Sequence, residues 1–181
     1  MKIWNDGRLR SFWLVAMAGA LWLSASAHGF AQPAGCTLVA DDRNPSEKIL
    51  RCGDTLTIRN APGTRYRLTG QHGPQAPTGV RLDSGALLIE FTPSDRQKNF
   101  QILTPHAIAA VRGTRWAVDV EHGNTATLVL SGAVAVTSPR APRGALLNPG
   151  EGADVTAGTR DIVVKRWGQK RVDALLARFG Q

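Results

Sequence analysis

The sequence predicts an all-β protein: a single sandwich or short β-roll of many short strands, with an N-terminal signal helix and a short C-terminal amphipathic helix. Apolar and polar residues alternate in several short segments, which is typical of strands with one buried face. The 181 residues include 19 glycines and 10 prolines, which supply turns between such strands. A segment near the C terminus instead has the apolar spacing of a helix.

The first 31 residues have the three parts of a secretory signal peptide. A basic start precedes an uncharged apolar stretch, Phe12 to Leu23, and small residues follow. We expect cleavage after Ala27 or after Ala31, and therefore a periplasmic protein. The alternative is an uncleaved membrane anchor, because the uncharged stretch up to Ala31 is just long enough to span a bilayer.

The two cysteines, Cys36 and Cys52, lie sixteen residues apart in the mature chain. An even number of cysteines in an oxidising compartment predicts a disulfide. Closing a loop of about 15 residues would stabilise the fold by roughly 3 kcal/mol. A two-cysteine metal site is the alternative, but no histidine lies nearby at ligand spacing.

The strands are expected where apolar residues alternate. The clearest case is Arg115–Glu121, in which Trp116, Val118 and Val120 share one face. The other expected strands are Asp54–Arg59, Arg65–Leu68, Ala86–Phe91, Phe100–Ile102, Thr125–Leu130 and Ala133–Thr137.

Glycines occur in the segments between these expected strands. His122-Gly123-Asn124 has the composition of a tight hairpin, and Gln71–Gly79 is expected to be a surface loop. A weak repeat of strand, glycine turn and strand occurs around Gly85 and Gly132, and more loosely around Gly150. It suggests a fold whose sheets are crossed at glycine corners, although any glycine-rich β protein produces similar matches.

The tail has a different pattern. Val172, Leu175, Leu176 and Phe179 form one apolar stripe, which predicts a helix over Gln169–Phe179. Five cations lie around it: Lys165, Arg166, Lys170, Arg171 and Arg178. The helix either docks on the β domain or lies on an anionic envelope surface, and four apolar residues are few for membrane binding.

The net charge of +8 is unevenly distributed. Residues 1–31 carry three bases and one acid, residues 32–159 carry 13 and 11, and residues 160–181 carry six and two. The chain therefore divides into a signal peptide (1–31), a nearly neutral β domain (32–160) that begins with the disulfide loop, and a basic helical tail (161–181). Because the excess charge lies outside the body of an exported protein, we expect no nucleic-acid partner.

The stretch Phe100–Val118 resembles the signature of the FecR domain family, roughly F-x-V-x-T-P-x-A-x-x-x-V-R-G-T-x-F-x-V. Thr104-Pro105 and Val111-Arg112-Gly113-Thr114 occur in order and at the family's spacing. Later parts of the pattern match Leu128–Val136 and Leu147–Gly152, so the resemblance covers about residues 54–157. There are two departures: His106 replaces a small residue, and Trp116 stands where Phe is commoner.

The resemblance implies a periplasmic β domain that takes part in envelope signalling. In the best-known members this domain belongs to a transmembrane regulator that senses an occupied outer-membrane iron transporter and acts on a cytoplasmic anti-sigma segment. Only eleven residues precede the apolar stretch here. We therefore expect a stand-alone exported member without that segment, whose partner is an envelope or membrane-spanning signalling protein or a small ligand.

The Arg112-Gly113-Thr114 segment is the candidate partner-binding site. Arg112 is the side chain that would contact a partner, because its planar guanidinium suits carboxylates. A purely structural role is the alternative, since Gly113 would permit a bend between strands and Thr114 would bond a turn backbone.

No catalytic or metal-binding motif is visible. The sequence has no G-x-S-x-G elbow and no phosphate-binding Gly-Lys loop, and its four histidines lack ligand spacing. We therefore expect a non-enzymatic protein without cofactor or metal. The alternative function is a structural envelope protein that binds anionic cell wall or lipopolysaccharide through its basic tail.

Overall fold

The computed structural model describes residues 35–41, 48–70 and 76–181. The predicted signal peptide, with its helix and both cleavage sites, lies outside these residues. The strands are β1 Cys36–Ala40, β2 Lys48–Cys52, β3 Leu56–Asn60, β4 Arg65–Thr69, β5 Gly79–Phe91, β6 Phe100–Leu103, β7 Ile108–Val111, β8 Thr114–Glu121, β9 Asn124–Ser131, β10 Val134–Thr137, β11 Ala145–Leu147, β12 Glu151–Thr156 and β13 Lys165–Arg166. The helix is α1, Gln169–Ala177.

These strands form one curled sheet with two halves, which confirms the predicted all-β class. In the half that we call sheet A, the order is β1-β2-β3-β5-β8-β9-β12-β13. In sheet B the order is β4-β5-β6-β7-β10-β11, with β5 and β6 parallel. Strand β5 belongs to both halves and joins them.

The main core lies between the two halves. The predicted inward faces of β5 and β8 are confirmed, because Leu87, Ile89, Trp116 and Val118 are fully buried. Sheet B contributes Phe100, whose ring centroid lies 6.1 Å from that of Trp116 in an edge-on arrangement. Burying these large side chains is the main source of stability for a domain of this size.

The disulfide joins Cys36 to Cys52. The two residues are direct partners across β1 and β2, and both are buried in the main core. The cross-link therefore fastens the edge strand β1 to the rest of sheet A.

Strand β5 differs from the expectation of a strand, a turn at Gly85 and a second strand. It is a single 13-residue strand, because Gly85 bends the chain without ending it. Gly85 has φ +87°, a backbone conformation that side chains with a Cβ avoid. Residues before the bend pair with β4 and β6 in sheet B, and those after it pair with β3 and β8 in sheet A.

Several crossings between the halves occur at positive-φ glycines, and we call four of these the glycine corners: Gly85, Gly113, Gly132 and Gly150. Gly113 lies between β7 and β8, Gly132 between β9 and β10, and Gly150 between β11 and β12. Each of these pairs has one strand in sheet B and one in sheet A. The glycine-centred repeat thus corresponds to crossings between the sheet halves.

The corners at Gly113 and Gly132 pack directly against each other. A Cβ on Gly132 would collide with the carbonyl oxygen of Gly113 and lie 2.8 Å from the Thr114 hydroxyl oxygen. The Thr114 hydroxyl donates a hydrogen bond of 3.0 Å to the carbonyl of Ala133. The two glycine segments therefore hold adjacent crossings in register.

The helix covers the outer face of sheet A. Leu175 and Phe179 are buried against Leu88, Ala117 and Leu128, so the predicted apolar stripe docks on the protein's own sheet. The helix ends at Ala177 rather than Phe179, but a following turn still buries Phe179. The central strands β5, β8 and β9 of sheet A thus have both faces covered.

Gly132→Ala is expected to destabilise the domain more than Gly123→Ala. Both glycines have similar φ values, +80° and +73°, and a left-handed conformation costs a residue with a Cβ about 1–2 kcal/mol. A Cβ on Gly123 meets nothing within 4 Å, whereas on Gly132 it meets backbone. Urea unfolding of both variants measures the difference, and equal losses would contradict the close packing of the corners.

Phe179→Ala is expected to lower the free energy of unfolding by about 3 kcal/mol, because it removes a buried aromatic side chain from the face between helix and sheet. Lys170→Ala, at an exposed position of the same helix, is the matched control and should change stability by less than about 0.5 kcal/mol. Chemical denaturation followed by tryptophan fluorescence measures both. Equal effects would show that the helix does not dock.

Candidate functional site

The outer face of sheet B contains an open cleft of about 750 Å³, which we call the sheet B cleft. Strands β6, β7, β10 and β11 form its floor, and the loop between β5 and β6 forms one wall. The inward side chains of these strands fill the main core, so their outward side chains line the cleft.

The floor is a row of small and apolar side chains. Leu146, Ala135, Ala110 and Gln101 are successive partners across β11, β10, β7 and β6. Neighbouring strands are about 4.8 Å apart, so these side chains form a continuous line across the sheet. Leu146 is 60% exposed and therefore leaves apolar surface open to solvent beside the alanines.

Three cations stand around this floor: Arg96, Lys98 and Arg112. Arg112 follows the last residue of β7, and the other two lie in the β5–β6 loop. Gln97 anchors that loop, because its side-chain amide donates a 2.9 Å hydrogen bond to the carbonyl of Pro77. This hydrogen bond holds Gln97 in place, and therefore also positions its chain neighbours Arg96 and Lys98 beside the cleft.

The cleft has a one-sided charge. Its lining contains those three cations and no carboxylate. Lys98 pairs with the fully exposed Asp95 at 3.2 Å. Within residues 35–41, 48–70 and 76–181, neither Arg96 nor Arg112 forms an ion pair with another described residue. Their positive charges are therefore available to attract an anionic group that enters the cleft.

The structure separates the three predicted partner-binding residues. Arg112 is exposed at the cleft, whereas Thr114 is buried and bonded to Ala133. Gly113 forms a corner beside Pro93. Gly113 and Thr114 thus have the structural contacts considered as the alternative, and the partner-binding role of all three residues remains a prediction.

The five tail cations also differ in their contacts. Arg171 binds Asp154 through two hydrogen bonds of 2.6 and 2.9 Å, and its guanidinium lies 3.5 Å from the centre of the Trp167 ring. Arg178 binds Asp119 at 2.6 Å. Both cations thus help to hold the helix on sheet A. Lys165, Arg166 and Lys170 are exposed.

The pKa values of the two carboxylates that bind the helix are shifted in opposite directions. Hydrogen bonding from Arg171 lowers the pKa of Asp154. Burial raises the pKa of Asp119 despite its ion pair with Arg178, because desolvation outweighs the attraction. Both groups belong to the contact between helix and sheet, which lies apart from the sheet B cleft.

The Thr104-Pro105 segment has a structural role. The Thr104 hydroxyl oxygen accepts a 2.9 Å hydrogen bond from the amide of Ala107 and lies 2.9 Å from the hydroxyl oxygen of the buried Thr125. These contacts fix the turn between β6 and β7. His106 packs at the same place, with Nδ1 3.3 Å from the Thr125 hydroxyl oxygen.

Two other features are absent from the described residues, a cluster of metal ligands and a membrane-spanning helix. Among them, no group of three or more His, Cys, Asp or Glu side chains is placed to hold a metal ion. In the same part of the chain, no helix has the length and apolarity needed to cross a bilayer.

Sequence reasoning missed most of the cleft. Arg96 and Lys98 come from the β5–β6 loop and Leu146 from β11, and only the strand order β6-β7-β10-β11 brings them together with Arg112. A weak signal was present, because Ala110 and Ala135 occupy outward strand positions where polar residues are expected.

Comparison with known proteins gives the following results. Crystal structures of a "putative anti-sigma factor" from Parabacteroides distasonis ATCC 8503, at 1.65 and 2.50 Å resolution, have a similar fold, with TM-scores of 0.53 and 0.52 and 19% sequence identity. The similarity covers 80% of this chain and 62% of that one, so this chain spans less than two thirds of its length. No curated protein matches the sequence significantly. The sequence pattern described as "FecR protein" matches residues 44–135, and the chain therefore belongs to the FecR family.

Proposed function

We propose that this protein is an exported, non-enzymatic FecR domain that binds a signalling protein of the cell envelope through the sheet B cleft. The observation that carries the proposal is the contrast between the two sheet faces. The helix covers the central strands of sheet A, whereas the outer face of sheet B presents exposed Ile108 and Leu146, and Leu146 lines the cleft with the three cations. An open apolar face with a charged rim is typical of a protein interaction site.

Two further observations support a signalling role. The family match includes β6 and β7, which form half of the cleft floor. The similarly folded protein from Parabacteroides distasonis is named for anti-sigma activity, which is a signalling function. Export is supported by the basic and apolar leader and by the disulfide, since disulfides persist in oxidising compartments.

A structural envelope protein that binds anionic cell wall or lipopolysaccharide through its tail is the second candidate. Exposed Lys165, Arg166 and Lys170 favour it. Arg171 and Arg178 weaken it, because both are engaged by carboxylates of the protein's own sheet.

Site-specific photo-crosslinking in cells tests the two candidates together. A benzophenone amino acid replaces Ala135 in the cleft floor or, as the matched control, the exposed Ala177 on the helix. Irradiation should link position 135, and not position 177, to an envelope protein identified by mass spectrometry. The linked chain should come from the periplasmic fraction and begin at His28 or Gln32.

Three results would contradict the proposal. The first is the absence of an adduct at position 135 in a correctly exported chain. The second is an adduct only at position 177, which would favour envelope binding through the tail. The third is recovery of the whole chain from the cytoplasm.

A further inference from the structure

The charge and apolarity of the sheet B cleft indicate what kind of molecule binds there. That the molecule is a partner protein rests on the proposed function. We infer that the cleft receives an extended acidic segment of the partner. The carboxylates of the segment bind Arg96 and Arg112, and its aliphatic side chains cover Ala110, Ala135 and Leu146.

Charge complementarity gives the first part of the inference. A lining with three cations and no carboxylate attracts an anion. Arg96 and Arg112 form no ion pair with the rest of the described chain, so they are available to a ligand. Two of the three cations are arginines, whose planar guanidinium binds a carboxylate through two parallel hydrogen bonds.

The apolar floor of the cleft supports the second part of the inference, that the segment also carries aliphatic side chains. A phosphate-bearing glycan or lipid headgroup would satisfy the cations but would leave the alanines and Leu146 facing water. Covering such apolar surface contributes about 25 cal/mol for each Å² removed from water. An occupant that carries both carboxylates and aliphatic side chains uses the whole cleft, which favours a peptide segment over a polyanion.

The shape gives the third part. The alanines at positions 110 and 135 are direct partners on adjacent strands and lie between the bulkier Leu146 and Gln101. Their small side chains form a shallow trough that runs along β7 and β10, with Leu146 on one side and Gln101 on the other. Side chains of an extended chain alternate between its two faces. A segment of alternating acidic and aliphatic residues would therefore turn its aliphatic face to the trough. Its carboxylates would lie on the opposite face, where the long side chains of Arg96 and Arg112 would bind them from the rim.

The test uses the mature chain and three fluorescein-labelled octapeptides. One alternates Glu with Leu, the second replaces each Glu by Lys, and the third replaces each Leu by Ser. Fluorescence anisotropy should show binding of the Glu–Leu peptide, with weaker binding of the Glu–Ser peptide and none of the Lys–Leu peptide. Raising NaCl from about 0.05 M to about 0.5 M should weaken binding several-fold.

Variants connect this binding to the cleft. Arg112→Gln and Arg96→Gln should each weaken the Glu–Leu peptide about tenfold, because each removes a charge-assisted contact. Arg160→Gln removes an exposed cation from the turn between β12 and β13, outside the cleft, and should have no effect. Unchanged circular dichroism and thermal midpoints would show that the variants remain folded.

Several outcomes would overturn the inference. These are equal affinity for the Lys–Leu peptide, equal effects of Arg112→Gln and Arg160→Gln, or arginine-dependent binding of lipopolysaccharide micelles without binding of the acidic peptide. Self-association in sedimentation experiments that Leu146→Ser abolishes would instead assign the face to a second copy.

The inference and the proposed function can fail separately. If the crosslink from position 135 persists in the Arg96→Gln and Arg112→Gln variants, the partner binds without the acidic contact, and the inference fails alone. If the peptide binds as expected but no envelope protein is crosslinked, the cleft has the inferred chemistry and the proposed function fails.

Discussion

The structure depends on how the chain passes from one half of the sheet to the other. Strand β5 spans both halves and bends at Gly85, and the corners at Gly113 and Gly132 pack so closely that a single Cβ would displace backbone. These crossings fix which strands are neighbours. They therefore fix which outward side chains meet on each face, and the cleft is a consequence of the crossings.

The two outer faces then acquire different roles. The central strands of sheet A are covered by the helix through Leu175 and Phe179, and Arg178 and Arg171 add ion pairs to Asp119 and Asp154. The basic tail carries +4 of the net charge of +8, and two of its cations bind carboxylates of the protein's own sheet. Sheet B has no such cover among the described residues, and its cations have no acidic partners in the cleft lining. The charge that bears on binding is local, and it is not apparent from the net charge of the chain.

Much of the fold could be predicted from sequence because local pattern determines it. Alternation located β8 and the second half of β5, and the apolar stripe located the helix. The cleft could not be found in the same way. Leu146 on β11 and Arg96, in the loop before β6, are fifty residues apart in sequence. No local sequence pattern indicates that β11 and β6 lie on one sheet. Arg112 was singled out from its motif, but its neighbours depend on strand order.

Hydrogen–deuterium exchange with the crosslinked partner tests the central claim most directly, which is that the outer face of sheet B is the binding surface. Binding should protect amides in β7, β10 and β11, which form the cleft floor, and should leave the helix Gln169–Ala177 unchanged. Protection confined to the helix, or to the outer strands of sheet A, would contradict the account.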